Sequence, residues 1–141
     1  MHNQTGLSNS KFEDFVIGSS IGEGAYAEVR EVLHKRTSTK YAFKIYNKYR
    51  IMDTQRKTNL MREIHILEQL NHPSIIKLYH VFETDKAVIL VFELVSGESL
   101  KSKIRNSGKG IPPDDTLLIF KQICSAVDYL HTKSITHRYS N

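Results

Sequence analysis

Three short apolar segments separated only by turns constrain the fold of this chain more than any other feature. They occupy residues 15–23, 27–34 and 40–47, and the polar stretch RTSTK at 36–40 is typical of a hairpin connection. Strands joined by such short connections pair with one another in antiparallel fashion. The sequence therefore predicts an antiparallel meander near the start of the folded part.

A helix and two further strands are predicted after this meander. Residues 53–70 carry apolar side chains at the helical period, and the sequence NHP then interrupts the pattern. The segments LYHVFE and AVILVFEL, separated by a turn-forming ETDK, have the composition of two strands. A short helix in SLKSKIRNSG and a long helix at about 114–132, after IPPDD, complete the pattern. We therefore predict an α+β fold with a five-stranded antiparallel sheet and one helix, followed by the first helices of a second part.

The composition is that of an ordinary folded domain. The 141 residues are 40% hydrophobic and 25% charged, which excludes a disordered or fibrous chain. The formal charge of +5 is compatible with an anionic partner, but the basic cluster between residues 44 and 62 lacks an interleaved aromatic platform. None of the seven histidines has metal-ligand spacing with a suitable third ligand. We expect neither a nucleic-acid partner nor a metal site.

Cysteine usage and hydropathy indicate the compartment. Cys124 is the only cysteine, so an internal disulfide is excluded, and its apolar helical surroundings predict a small buried thiol. The start of the chain, MHNQTGLSNSK, lacks the apolar core of a signal peptide. The longest uncharged apolar run, residues 87–92, is too short to span a membrane. We expect a cytoplasmic or nuclear protein that is neither secreted nor embedded in a membrane.

A glycine turn lies between the first two predicted strands, in GEGAYAEV at 22–29. Gly22 and Gly24 would let the backbone approach phosphate oxygens, and Ala27 keeps the returning strand nearly as slim. This arrangement predicts a strand, turn and strand that close over a nucleotide.

Two other phosphate-binding patterns share features with this turn. A dinucleotide-binding fold requires a helix directly after the glycines and an acidic residue roughly 20 positions later, but residues 41–50 contain no Asp or Glu. That interpretation stays open only if residues 28–38 form a helix. The P-loop pattern fails because the only Gly-Lys pair, at 108–109, lacks the upstream glycine and the following Ser or Thr.

A lysine and a glutamate in apolar surroundings form the second part of the candidate site. Lys44 lies in the apolar segment YAFKIY, where an inward-pointing ammonium group requires a negative partner. Glu63 falls on the same helical face as Leu60 and Leu67. We predict a buried ion pair between them that presents the lysine to two phosphates. The alternative is an exposed glutamate and a lysine whose charged end reaches water.

Together, the glycine turn, the sequence Ala42-Phe43-Lys44 and Glu63 resemble the amino-terminal lobe of eukaryotic protein kinases. The resemblance continues through LNHPSIIKLY, AVILVFELVSGESL and DYLH to ITHR, and it is nearest to serine/threonine kinases of the calcium/calmodulin-dependent type. The polar residues 1–11 predict a loose tail, and the resemblance implies a small lobe and hinge at 12–95 and a partial, truncated large lobe at 96–141.

The resemblance also implies an ATP site and its residues. Val29 and Ala42 would cover the adenine, Phe92 would be the gatekeeper, and main-chain groups of Glu93 and Val95 would bind the adenine edge. Lys44 and Glu63 are the implied catalytic residues. The implied cofactor-binding residues are Ile21, Gly22, Glu23, Gly24, Ala27, Val29, Ala42, Lys44, Phe92, Glu93 and Val95.

The chain departs from the family pattern at the catalytic loop, which reads HRYSN. The family places an aspartate where this chain has Tyr139, and a phenol with an ordinary pKa of about 10 cannot act as a base at neutral pH. Asn141 comes too early to be the magnesium ligand, and no Asp-Phe-Gly motif follows. We therefore expect the family reaction, transfer of the γ-phosphate of Mg-ATP to a protein hydroxyl, to be lost.

Two functional hypotheses follow from the sequence. The first is an ATP-binding fragment of a serine/threonine kinase, with ATP and a protein substrate as partners. The alternative is a noncatalytic module that engages a kinase regulator or holds ATP weakly. The long helix is apolar on more than one face, so we also expect it to leave an exposed apolar patch.

Overall fold

The computed structural model describes residue 7, residues 9–108 and residues 110–136. The chain divides into two compact units. The first contains the described part of Met1–Leu70 together with Ile76–Val95, and the second contains Asn71–Ile75 and the described part of Ser96–Asn141.

The first unit is built on a five-stranded antiparallel sheet, as the sequence predicts. A single 3-10 turn, Phe12–Asp14, precedes the first strand. The strands follow one another in space in the order β1-β2-β3-β5-β4. Their bounds are Phe15–Glu23 for β1, Ala27–His34 for β2, Thr39–Asn47 for β3, Leu78–Glu83 for β4 and Ala87–Glu93 for β5. Since residues 28–38 form a strand and a hairpin turn, the dinucleotide-binding interpretation is wrong.

Helix α1, Thr54–Glu68, lies against one face of this sheet. It begins at the N-cap Asp53, whose side chain accepts hydrogen bonds from the backbone N–H groups of Gln55 and Arg56. Leu60 and Ile64 are buried, one helical turn apart. They pack against a set of strand residues on what we call the helix face of the sheet: Ala42, Tyr46, Val88, Leu90 and Phe92.

The opposite side of the sheet, which we call the aromatic face, holds a second buried cluster. Successive side chains of a strand point to opposite faces, so Phe43 lies on this face although Ala42 and Lys44 lie on the other. The buried members of the cluster are Leu7, Phe15, Val32, Tyr41, Phe43, Ile89 and Val91. Phe43 and Val91 of this cluster have no exposed surface.

Leu7 and Ser10 depart from the loose tail that the sequence predicts for residues 1–11. Leu7 is 2% exposed and belongs to the aromatic-face cluster. Ser10 is buried and its hydroxyl lies 3.2 Å from Nε2 of the buried His34, whose Nδ1 lies 2.8 Å from the Thr37 hydroxyl. The described part of the tail is ordered because a leucine side chain and a buried hydrogen bond hold it to the sheet.

The described part of the second unit contains two helices. Helix α2, Leu100–Asn106, is capped by Ser99, and helix α3, Pro113–Thr132, has proline in its first turn with Asp114 and Asp115 beside it. The predicted apolar patch is present on α3, where four large side chains are exposed: Leu117, Leu118, Phe120 and Ile123.

Cys124 corrects a sequence prediction, because it is exposed and not buried. It lies one helical turn after Phe120, which is 61% exposed, so the thiol shares the exposed face of α3. An apolar helical pattern indicates burial only where another element covers that face. None of the described helices is long and apolar enough to cross a membrane.

Candidate functional site

The hairpin between β1 and β2 carries the two glycines singled out by the sequence. Its tip is closed by a 2.8 Å hydrogen bond from the backbone N–H of Gly24 to the carbonyl of Ala27. A Cβ added at Gly22 would lie 3.7 Å from the Val29 side chain, and one at Gly24 would lie 3.5 Å from the Ala27 carbonyl oxygen. Both are ordinary contacts, and neither glycine lies in the left-handed region of φ.

Gly18, on the same strand, is a useful contrast. A Cβ at this position would lie 2.8 Å from the backbone carbonyl oxygen of Glu31, which is too close for any side chain. The packing of the chain itself therefore requires glycine at 18, whereas it does not require glycine at 22 or 24. The bare backbone of Gly22 and Gly24 leaves room for a group outside the chain, such as a phosphate.

Lys44 and Glu63 form the predicted ion pair. Lys44 is on β3 and Glu63 is on α1, and the Lys44 Nζ lies 2.9 Å from the Glu63 Oε1. The pair is not buried as predicted, since the two side chains keep 33% and 40% of their surface exposed. The position of Glu63 explains this exposure, because it precedes the buried Ile64 and lies at the edge of the apolar stripe of α1.

Tyr46 joins this pair and was missed by the sequence reasoning. Its hydroxyl lies 3.4 Å from Oε1 and 3.3 Å from Oε2 of Glu63, and the Lys44 Nζ lies 5.1 Å from the centre of its ring. The signal was present in the sequence KIY, because residues two apart on a strand point to the same face. A tyrosine beside an inward-pointing lysine on β3 must therefore share its surroundings.

The electrostatics of this group favour a charged lysine and a neutral phenol. Burial disfavours the charge of Lys44, but hydrogen bonding with Tyr46 and Glu63 and the charge of Glu63 outweigh it and raise the pKa of Lys44. Burial raises the pKa of Tyr46, although the nearby Lys44 opposes this effect. At neutral pH the group therefore offers a fixed ammonium ion whose remaining hydrogen-bond donors can bind an anion.

The predicted adenine-side residues also lie on the helix face. Val29 is paired with Lys44 and Ala42 with Phe92 in the sheet register. Ala42 and Phe92 are buried in the helix-face cluster, and Val29 and Ala27 pack against it. The structure therefore brings an apolar surface and a cation together on one face of the sheet.

The remaining predicted residues lie at the margins of this face. Ile21 and Glu23 are exposed on β1, and the side chain of Val95 is exposed beyond the end of β5. Glu93 ends β5, where its backbone N–H donates to the Lys77 carbonyl at 3.1 Å and its carboxylate accepts from the Lys77 N–H at 2.9 Å. Its N–H is therefore already engaged within the chain.

Two further sequence predictions concern the catalytic loop and a metal site. The catalytic-loop residues, Tyr139 and Asn141 among them, lie outside the described residues. Within the described ranges, no group of three His, Cys, Asp or Glu side chains is arranged to hold a metal ion.

Comparison with known proteins agrees with this arrangement. The family model described as "Protein kinase domain" matches residues 15–139. The chain is 42% identical over 119 residues to "Probable serine/threonine-protein kinase fhkC" of Dictyostelium discoideum, a match that covers 84% of this chain and 20% of that protein. It is also 42% identical over 118 residues to "Calcium-dependent protein kinase 5" of Plasmodium berghei (strain Anka), again covering 84% of this chain and 20% of the relative.

A solved structure has the same fold. The crystal structure of Rad53 residues 1–466 in complex with AMP-PNP matches with a TM-score of 0.76 and 31% sequence identity, covering 92% of this chain and 33% of that one. A probable myosin light chain kinase of Dictyostelium discoideum is covered to 41% of its length. The chain thus spans between about a fifth and two fifths of the curated relatives it matches.

Proposed function

The chain belongs to the protein kinase domain family, and from this premise we propose that its first unit binds ATP on the helix face of the sheet. The observation that carries the proposal is the 2.9 Å contact between Lys44 and Glu63 on the same face as Val29 and Ala42. A lysine held in this way is a fixed positive charge, which suits the phosphates of a nucleotide.

We assign the phosphates to Lys44 and to the backbone of the β1–β2 hairpin. The openness at Gly22 and Gly24 supports this assignment, because a phosphate oxygen can approach the hairpin backbone only where no Cβ blocks it. The Gly24 N–H is not among the donors that we assign, since it donates to the Ala27 carbonyl. Ile21 and Glu23 flank this backbone on β1. The role of Glu63 in the proposal is to hold Lys44, not to contact ATP.

We assign the adenine to the apolar part of the same face. Val29 and Ala42 would cover the ring, with Ala27 beside them and Phe92 at the back of the site. Because the Glu93 N–H is engaged by Lys77, the carbonyl of Glu93 and the main chain of Val95 are the groups that we propose for the adenine edge. Magnesium, when bound with ATP, would supply charge neutralisation for the phosphates.

We propose that this chain does not transfer the γ-phosphate. Family members use an aspartate to orient the substrate hydroxyl and accept its proton, and Tyr139 stands at that place in this sequence. A neutral phenol at pH 7 accepts a proton far less readily than a carboxylate. By analogy with the relatives, we associate phosphoryl transfer to a protein serine or threonine with chains that carry the aspartate. We do not propose it for this chain, which has Tyr139.

A thermal-shift titration with ATP and magnesium tests the binding proposal on the full chain. We expect ATP to raise the unfolding temperature, and we expect Lys44→Ala to abolish most of that rise. Lys48→Ala is the matched control, because Lys48 is also an ion-paired lysine of the first unit, 2.6 Å from Glu83. An ATP-dependent rise that is equal in wild type and Lys44→Ala would refute the proposal.

An assay for transfer of labelled phosphate to a generic protein substrate tests the proposal that this chain does not transfer the γ-phosphate. No incorporation above that of Lys44→Ala is expected. Incorporation that disappears in Lys44→Ala would show that Tyr139 does not prevent turnover.

A further inference from the structure

We propose that Tyr46 is a positioning residue of the nucleotide site, whose hydroxyl holds the Glu63 carboxylate so that Glu63 in turn holds Lys44. The inference rests on the proposed ATP site and names a residue that neither the sequence pattern nor the resemblance assigns. Tyr46 touches no phosphate in this scheme, and its hold on Glu63 adds to its direct contact with Lys44.

The first argument is that the ion pair between Lys44 and Glu63 needs a buried third group to hold it in one geometry. Lys44 and Glu63 keep a third and two fifths of their side-chain surface in water, and an isolated pair with such exposure has little power to hold one geometry. Tyr46, by contrast, is only 8% exposed. Its ring is packed among the apolar residues of the helix face, including Leu60 and Ile64 of α1.

The second argument is the geometry at the carboxylate. The Tyr46 hydroxyl lies almost equally far from the two oxygens of Glu63, 3.4 and 3.3 Å. A donor placed between both oxygens opposes rotation of the carboxylate in either direction. With the hydroxyl on one side and the Lys44 ammonium at 2.9 Å from Oε1, Glu63 is fixed at two points.

The third argument concerns the connection between α1 and the sheet. The buried contacts of α1 around this point are apolar, through Leu60 and Ile64, and apolar contacts are not directional. Glu63 is the polar link from α1 to β3, and two residues of β3, Lys44 and Tyr46, bind it. A link from two residues of one strand sets the rotation of α1 more firmly than a single lysine does.

Competitive labelling of lysines with an amine-reactive reagent, analysed by mass spectrometry of the full chain, measures the freedom of Lys44 without ATP. Only an uncharged amine reacts, so the rate at Lys44 reports how firmly its partners hold the ammonium form. We expect Y46F to increase the rate at Lys44 relative to the exposed Lys57 by roughly two- to tenfold, the range for one lost hydrogen bond.

The matched control is Y41F, which makes the same chemical change at a buried tyrosine on the opposite face of the same strand. It should leave the relative rate at Lys44 unchanged. An equal rate change in Y41F and Y46F, or no change in Y46F, would overturn the inference. Folding of each variant is checked by circular dichroism, and Y46M, which also lacks the hydroxyl but fills part of the space, replaces Y46F if that variant does not fold.

A double-mutant cycle separates positioning through Glu63 from a general structural role. In an E63Q background the Y46F change should increase the rate at Lys44 less than it does in wild type, because only the direct contact between Tyr46 and Lys44 is then lost, whereas a role independent of Glu63 would give the same increase in both backgrounds. ATP thermal shifts on the same variants complete the test, with Y46F expected to weaken binding several-fold. If wild type shows no ATP shift but the labelling cycle is coupled, the proposed function fails and the role of Tyr46 stands.

Discussion

On the aromatic face of the sheet, Phe43 is completely buried, and its ring centre lies 4.9 Å from that of Phe15, 6.1 Å from that of Phe12 and 6.2 Å from that of Phe82. On the helix face, the next residue, Lys44, keeps a third of its side chain exposed and binds a glutamate. The two residues are adjacent in sequence and share one strand, yet one lies in a closed core and the other in an open polar group.

This contrast follows from the period of two along a strand. The aromatic face is covered by Leu7 and by the Phe12 ring of the 3-10 turn, so it contributes mainly stability. The helix face carries the polar group beside a glycine hairpin with room for a ligand. Substitutions at successive positions of β3 should therefore separate loss of stability from loss of binding.

The largest expected effect comes from Phe43→Ala. Truncating a fully buried phenylalanine leaves a cavity, and we expect the free energy of unfolding to fall by about 3–5 kcal/mol in urea denaturation. Tyr49→Ala, at an aromatic residue that is 69% exposed, is the control and should change stability by less than about 0.5 kcal/mol. Similar losses for the two variants would contradict the assignment of the aromatic face as a closed core.

Leu7→Ala tests whether the aromatic face extends to the beginning of the chain. Leu7 is 2% exposed, and we expect about 2 kcal/mol of destabilisation, near the low end for leucine because a segment near the terminus can relax into the space. The exposed Met52→Ala is the control. If stability is unchanged by Leu7→Ala, Leu7 does not contribute to the aromatic-face core, which would agree with the sequence prediction of a loose tail.

The sequence is sufficient for those features that local chemistry determines. Strand bounds follow from alternation and turn residues, and the β1–β3 bounds agree to within one residue because RTSTK and the glycine turn are short-range signals. The Lys44–Glu63 contact is predictable because each charge lies among apolar residues and needs a partner.

The features that the sequence does not predict depend on which distant groups meet. Leu7 is a lone apolar residue in a polar segment, so no period reveals its burial on the aromatic face. The Tyr46 contact requires the placement of α1 over β3, and the exposure of Cys124 requires knowledge of what covers α3. The requirement for glycine at 18 depends on a close approach to the Glu31 carbonyl across the β1–β2 pair.

Alkaline pH should lower stability by a smaller amount, mainly through Lys44 and Tyr46 on the helix face. The pKa of Lys44 is raised, so its contribution to stability is fully present below its unfolded pKa and is lost as pH rises through the folded pKa. The raised pKa of Tyr46 acts in the same direction, because folding opposes loss of its proton. We expect urea midpoints in wild type to fall as the pH rises above about 10, and to fall less in Lys44→Met.

The aromatic face supplies the control for this pH series. Burial also raises the pKa of Tyr79, with a contribution from the charge of Glu93, and Tyr79 packs against the aromatic-face cluster. Tyr79→Phe removes that contribution without touching Lys44. If the alkaline loss is reduced only by Tyr79→Phe and not by Lys44→Met, the polar group of the helix face does not contribute to stability as inferred.

The smallest expected effect concerns the tip of the glycine hairpin, where the Arg56 guanidinium lies 4.5 Å from the ring centre of Tyr26. Both groups are on the surface, and a cation–π contact there is worth about 0.5–1 kcal/mol. Arg56→Ala should therefore lower stability by less than about 1 kcal/mol and reduce the ATP-dependent thermal shift slightly, because the hairpin loses a contact to the start of α1. Arg56→Lys keeps the charge but lacks the planar surface that stacks on the tyrosine ring. Its stability and its ATP-dependent thermal shift should therefore lie between those of wild type and Arg56→Ala. An Arg56→Ala effect on ATP binding as large as that of Lys44→Ala would mean that the hairpin tip, and not the helix face of the sheet, dominates the proposed nucleotide site.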